Sequence, residues 1–149
     1  MRIPDSVFKL LNPLMSALLR SPLHSPMSKS ILLITFEGRR SGRTYTLPVS
    51  YSREGSTVRC FTSRRNSWWR NLQDGADVSL FVRRKESHGR AEAIHDDPKR
   101  IRDAVAAHLA RLPRDATYYD IALDANGSPD PDDLERASKE MVVVEIRLG

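Results

Sequence analysis

The run Gly38-Arg39-Arg40-Ser41-Gly42-Arg43 sets three guanidinium groups and a hydroxyl between two glycines. Such a loop can surround an anion. Arginine offers forked N–H donors that match phosphate and carboxylate oxygens, and glycines able to take positive φ leave their backbone N–H groups free to point inward as further donors. A second basic run, Ser63-Arg64-Arg65-Asn66-Ser67-Trp68-Trp69-Arg70-Asn71, joins arginines to the expected start of a short helix, another anion-seeking place, and to two indoles with planar apolar faces. At least one of those tryptophans is expected to pack in the core.

Charge follows the same two runs. The 149 residues hold 24 Lys and Arg against 19 Asp and Glu, a net charge of +5. Between residues 37 and 70, Arg39, Arg40, Arg43, Arg53, Arg59, Arg64, Arg65 and Arg70 meet only Glu37 and Glu54, whereas residues 120–140 are acidic. Concentrated arginine points to phosphate or carboxylate. A single-stranded nucleic-acid surface using Tyr45, Trp68 and Trp69 is the weaker reading, because the arginines gather at two turns instead of forming a stripe and the acidic C-terminal third would repel a wrapping strand. No nucleic-acid partner is expected.

Signatures of side-chain catalysis are missing: the chain has no G-x-S-x-G, no H-E-x-x-H, no P-loop and no dinucleotide-binding glycine pattern. His24, His88, His95 and His108 are scattered without metal-ligand spacing, and His95-Asp96-Asp97 reads as the approach to a helix, so no catalytic side chain and no metal are expected. Cys60 is the single cysteine and lies in an apolar run. It permits no internal disulfide, reads as a small buried hydrophobe and fits a reducing cytoplasm.

The elements that must position these residues follow from periodicity. Val7, Leu10, Leu11, Leu14, Met15, Leu18 and Leu19 form an apolar face interrupted by Asp5, Lys9 and Arg20, too short to span a bilayer. Residues 5–20 therefore read as amphipathic helix, split at Asn12-Pro13, suited to packing on the domain or a partner subunit, or to lying on a membrane surface. Ser21-Pro22-Leu23-His24-Ser25-Pro26 is an extended linker. Residues 1–28 are thus set apart from a domain over residues 29–149.

Within that domain the residue types predict strands at Ile31 to Glu37, Tyr45 to Ser52, Thr57 to Ser63, Val78 to Arg83, Gly89 to Ile94 and Met141 to Leu148. A short helix is expected from Asn66 or Ser67 through Gln73. Asp97-Pro98 starts a helix that runs to Pro113 with Ile101, Val105, Leu109 and Leu112 on one face, and Asp130-Pro131 starts another. Six mainly antiparallel strands with flanking helices make an α+β barrel.

The stretches GRRSGRTYTLPVSY and FTSRRNSWWRNLQDGADVSLFV, in this order, resemble the deazaflavin-dependent nitroreductase family, whose members show a G-R-x-S-G-x loop, a T-x-P strand, a W-x-x-N-L helix and a valine strand. The resemblance spans roughly residues 7–95 and implies an FMN-binding-like split β-barrel, often a homodimer, that binds coenzyme F420 (alternatively FMN) and passes hydride to a small-molecule electron acceptor such as a quinone, enone or nitro compound. Carried over, it implies that Arg39, Arg40, Ser41, Gly42 and Arg43 hold the anionic tail, and that Thr46, Leu47, Pro48 and Val49 lie along the ring. Ser63, Arg64, Arg65 and Asn66 would sit near the cofactor phosphate and ring edge, with Trp69 and Asn71 positioning the helix behind them. Tyr118 and Tyr119 would wall a substrate pocket. The chain departs from the family at Arg64-Arg65, where relatives place small residues. The alternative in a different class is a non-enzymatic carrier of flavin, haem or a lipid-like ligand on the same fold.

Overall fold

Alternation of side chains decides which way each strand faces. The computed structural model describes residues 31–149; the helical segment and linker expected over residues 1–28 lie outside them. Among the described residues six strands, β1 (Ile31–Glu37), β2 (Thr44–Glu54), β3 (Thr57–Ser63), β4 (Ala76–Val82), β5 (Lys85–Ile94) and β6 (Met141–Leu148), close into a barrel in the order β1-β2-β3-β6-β5-β4. Every neighbouring pair is antiparallel. The predicted bounds of β1, β3 and β6 coincide with the observed ones. The strand predicted through Arg83 stops at Val82, because Arg83 and Arg84 take positive φ (51° and 65°) in a two-residue turn, and β5 begins at Lys85 directly after it.

Successive residues of a strand point to opposite faces. Leu32, Ile34 and Phe36 of β1, Tyr45, Leu47, Val49 and Tyr51 of β2, Val58 and Cys60 of β3, Val78 and Leu80 of β4, and Val142, Val144 and Ile146 of β6 fill the barrel together with Trp68, Trp69 and Leu72. Burial pushes the Cys60 thiol far above its ordinary range, so it stays protonated and unreactive.

A second apolar layer lies outside the barrel. Phe61, Ile94, Met141 and Val143 face outward and are covered by Ile101, Val105 and Leu109 of α1 (Pro98–Arg111), by Ala116 of the 3-10 helix Pro113–Tyr119, by Ile121, and by Ala137 of α2 (Pro131–Glu140). Both helices start as their sequences require: Asp97 accepts the Arg100 N–H at 3.2 Å and Asp130 accepts the Asp133 N–H at 3.0 Å, each with proline in the first turn. Burial on both faces explains why Met141-Val142-Val143-Val144 is continuously apolar.

Inside this outer layer His108 Nε2 lies 2.8 Å from Asp115 Oδ2, with the two side chains 0% and 3% exposed. The pair ties α1 to the 3-10 helix that follows it. Desolvation lowers the His108 pKa below its ordinary value, while the bond to Asp115 acts in the opposite sense and is outweighed. The stability this neutral imidazole contributes is present above the unfolded pKa near ~6.5 and is lost as pH falls toward the folded value, where only the unfolded chain takes the proton. We expect unfolding free energy to fall on acidification below about pH 6.5 with a slope approaching ~1.4 kcal/mol per pH unit from this group. In H108Q, whose amide can replace the Nε2–H donor without titrating, the slope should be flatter in denaturant titrations at stepped pH.

Candidate functional site

At one end of the barrel, residues 38–43 join β1 to β2, and the 3-10 helix Trp68–Leu72 lies opposite. Phe36, Gly38, Arg39, Arg40, Ser41, Tyr45, Ser67, Trp68, Arg70 and Asn71 line a groove of ≈ 250 Å³ between them. Its floor is aromatic: Phe36 has its ring centroid 5.7 Å from those of both Tyr45 and Trp68. Its rim carries the exposed Arg39, Arg40, Ser41 and Arg70. A low-polarity floor under guanidinium groups strengthens attraction for an anion compared with the same charges in open water.

The loop is held by its own bonds. Gly38 N–H donates to the Arg43 carbonyl and Gly42 N–H to the Gly38 carbonyl, both at 2.8 Å; Arg43 N–H donates to Ser41 Oγ at 3.2 Å. Asn71 Oδ1 accepts the Arg39 N–H at 2.9 Å while its Nδ2 donates to the Trp68 carbonyl at 2.9 Å, so Asn71 clamps the loop to the 3-10 helix. The expectation that the glycine N–H groups point inward as anion donors is therefore corrected: closing the turn consumes them. The main-chain donors left without a protein partner here, among the described residues, are Arg40 and Ser41 N–H.

Gly42 is needed for its φ of +68°. Gly38 is needed for space, since a Cβ there would stand 2.8 Å from Ser41 Oγ and 2.9 Å from Tyr45 Cε2. We expect G38A to push the loop off Tyr45, lowering the thermal midpoint by several degrees (about 1–3 kcal/mol of overpacking) and opening the groove; a scanning-calorimetry trace unchanged from wild type would refute the tight approach.

The second basic run is divided by the fold. Trp68 and Asn71, with Ser67 and Arg70, reach the groove. Arg64 does not: its Nε donates to the Lys139 carbonyl at 3.1 Å, its Nη2 to the His95 carbonyl, and its backbone N–H to the Glu140 carbonyl, tying the turn after β3 to the ends of α2 and β5. Ser63 Oγ accepts the Arg65 N–H at 3.2 Å and Asn66 Nδ2 donates to Thr62 Oγ1 at 3.0 Å, so Ser63, Arg65 and Asn66 shape that turn and do not line the groove. Nor is there a helix N-terminus for an anion, because Trp68–Leu72 is a five-residue 3-10 helix without a side-chain cap. Trp69, 2% exposed, belongs to the barrel core. It stacks on His95 at 5.4 Å, and the Arg70 guanidinium lies 4.6 Å from its ring centroid.

Strand β2 divides its four expected ring neighbours by the pleat. Leu47 and Val49 point into the barrel and are buried, so their side chains cannot touch a cofactor outside it. Thr46 and Pro48 face outward beside Thr35 and Leu33 of β1, and Thr35 Oγ1 and Thr46 Oγ1 are 2.8 Å apart. The same outward row continues to Ser50, whose Oγ is 2.7 Å from the Tyr119 hydroxyl. Burial pushes that hydroxyl up to about 12, so it remains protonated at neutral pH. Tyr118, in contrast, is 81% exposed and does not line the groove. The groove also takes in Phe36, which no sequence signal marks, and Tyr45, Ser67, Trp68 and Arg70, which the family resemblance leaves out of the cofactor site although the W-x-x-N-L spacing falls on Trp68, Asn71 and Leu72.

A closed six-stranded antiparallel barrel with helices on one side and a basic mouth defines a protein of the split-barrel, flavin-binding-like class. The chain belongs to the F420H(2)-dependent quinone reductase family, whose model matches residues 21–122. No curated protein matches the sequence. Among solved structures it resembles a protein from Bacteroides thetaiotaomicron assigned to 5-nitroimidazole antibiotic resistance, at 14% identity and a TM-score of 0.54, over 83% of this chain and 76% of that one. It also resembles the heme storage protein HutZ from Vibrio cholerae (10% identity, TM-score 0.55, 93% and 90% covered). A third is a protein related to general stress protein 26, of the pyridoxinephosphate oxidase family, from Clostridium acetobutylicum (12%, 0.53, 98% and 86%). Identities this low establish the shared barrel and nothing further.

Proposed function

We propose that the chain is an F420H2-dependent reductase of a small electrophilic acceptor such as a quinone, enone or nitro compound. The observation that carries this is the groove itself: Arg39, Arg40 and Ser41 present side-chain and main-chain donors over an aromatic floor, with Asn71 fixing the loop. That donor set suits a phosphate-bearing, multiply anionic tail. Pockets that enclose a whole cofactor run to ~300–1,000 Å³, so a groove of ≈ 250 Å³ suits part of the tail and leaves a tricyclic ring outside. Thr46 and Pro48, outward on the strand that follows the loop, offer a hydroxyl and a flat apolar surface for that ring.

When bound, the reduced deazaflavin would supply a hydride to the acceptor. The protein's part is position and electrostatics: Arg39 and Arg40 hold the tail, Thr46 and Pro48 back the ring, and Tyr119, pinned by Ser50, walls the acceptor end. Its protonated hydroxyl can donate a hydrogen bond to an acceptor oxygen. Anaerobic mixing of the protein with F420H2 and then a soluble quinone tests the reading. Return of the oxidised deazaflavin's absorbance at a rate proportional to protein supports it. Tight binding without oxidation favours a carrier, and tighter binding of FMN than of F420 assigns the groove to a flavin phosphate.

A further inference from the structure

Tyr119 is the last residue of the 3-10 helix Pro113–Tyr119, and the chain turns sharply after it. Asp120 takes a φ of 55°, in the left-handed region, where a residue other than glycine is uncommon and is kept by its surroundings. The last carbonyls of a helix also lack donors from within it. Both features call for an outside group at this point.

Arg136 of α2 is that group. Its Nη2 donates to the Tyr119 carbonyl at 3.3 Å and to the Asp120 carbonyl at 2.5 Å. Asp133, one turn earlier on α2, holds Arg136 through a 3.3 Å ion pair and accepts the Ala122 N–H at 2.9 Å through its other oxygen. At its start the same segment is tied to α1 by Asp115, 2.8 Å from His108. Between these ties the Tyr119 ring stands edge-on to His108, with centroids 6.1 Å apart, and 6.3 Å from Phe61. Its hydroxyl is left 2.7 Å from Ser50 Oγ, on the outward row of β2 that carries Thr46 and Pro48.

We propose that Arg136 is a positioning residue for the Tyr119 hydroxyl, and that the fork from its guanidinium to the two carbonyls sets where that hydroxyl meets the acceptor. The proposal rests on the assignment of Tyr119 to the acceptor end of the site. Arg136 does not line the groove, and its charge is balanced by Asp133 and by Glu140, 3.8 Å from its Nε, so it acts through the backbone it holds. A phenol oxygen stands far from its own Cα, and a small rotation of the backbone is enlarged at the hydroxyl; a misplacement of about 1 Å can cost up to about a hundredfold in rate. Two acceptors side by side suit the planar fork of arginine and not the single ammonium of lysine.

Quinone reduction by wild type, Y119F, R136M, the double variant and E140Q tests this, beside fluorine NMR of fluorotyrosine-labelled protein, in which the resonance missing from Y119F marks Tyr119. Methionine keeps the aliphatic stem and removes the donors. R136M should lower kcat/KM for the quinone about tenfold, as Y119F does, with F420 affinity within about twofold of wild type. It should also shift or broaden the Tyr119 resonance and leave those of Tyr45 and Tyr51 in place. The double variant should lose no more than Y119F alone, and E140Q, which removes an ion pair and keeps the fork, should match wild type. Should R136M not fold, R136K takes its place with the same expected pattern. Additive losses in the double variant, an unmoved Tyr119 resonance, or an equal loss in E140Q would overturn the proposal alone. Y119F as active as wild type would overturn the reading of Tyr119 and the proposal with it. If the protein reduces no quinone, the reductase reading fails, and the resonance still decides whether Arg136 holds Tyr119.

Discussion

Replacing Arg39 and Arg40 together by Ala is expected to weaken F420 binding about a hundredfold while leaving the rate of quinone reduction at saturating cofactor within a few-fold of wild type. A charge-assisted bond contributes ~1.5–3 kcal/mol, and solvent at the exposed rim of the groove brings that toward the lower value, about tenfold per arginine. Both guanidinium groups meet the tail in the ground state and the transition state alike, so their loss is a loss of uniform binding: apparent dissociation constants rise and the maximal rate does not fall in proportion. The backbone should survive, because the bonds that close the loop run through Gly38, Gly42, Ser41 and Asn71 and not through the two guanidinium groups. Isothermal titration beside single-turnover kinetics separates the two effects. A variant that binds F420 normally and fails to reduce the acceptor would move these arginines from the tail to the reacting substrate.

Replacing Trp69 by Ala is expected to produce the opposite pattern, a large loss of stability with little loss of cofactor affinity per folded molecule. The indole is almost wholly enclosed by the barrel core and stacks on His95, with its Nε1 3.4 Å from the Arg64 carbonyl. Large-to-small truncation of a buried tryptophan costs about 3–5 kcal/mol, which in a chain of this size lowers the thermal midpoint by roughly 10 °C. Trp68 differs from it by a single position and by the groove it lines, and its Nε1 donates to Thr62 Oγ1 at 3.0 Å. Equal loss of F420 affinity and stability in W69A, measured on folded protein below its transition, would return Trp69 to the binding site.

Much of the barrel is legible in the residues because period-2 burial and turn chemistry are local. β1, β3 and β6 are runs of β-branched and apolar residues set off by turn residues such as Gly38 and Gly55-Ser56, and Asp97-Pro98 and Asp130-Pro131 announce both helices. The site is less legible because it depends on partners far along the chain. Nothing near Arg64 reveals that the carbonyls of His95 and Lys139 meet it, so an arginine in a basic run looks like an anion donor when it is a cross-brace. The same distance hides Asn71, which reaches back to the Arg39 N–H. Leu47 and Val49 fail for a different reason: a motif names consecutive residues, whereas a pleated strand can offer only every second side chain to one face. The glycine N–H groups are not the anion donors that the loop's residue types suggest, because a tight loop must satisfy its own backbone before it can serve a ligand.

In the proposed function the groove between residues 38–43 and the 3-10 helix Trp68–Leu72 recognises the anionic tail of F420. The most direct measurement is a four-way fluorescence titration: wild type and the double Ala variant at Arg39 and Arg40, each with F420 and with the same deazaflavin lacking its phosphate and glutamate tail. If the groove holds the tail, removing the tail should weaken wild-type binding about as much as removing the arginines does, and in the double variant the tail should no longer matter, leaving a coupling near the whole effect. If the variant discriminates between the two ligands as sharply as wild type, the tail is bound elsewhere and the assignment of the groove is wrong.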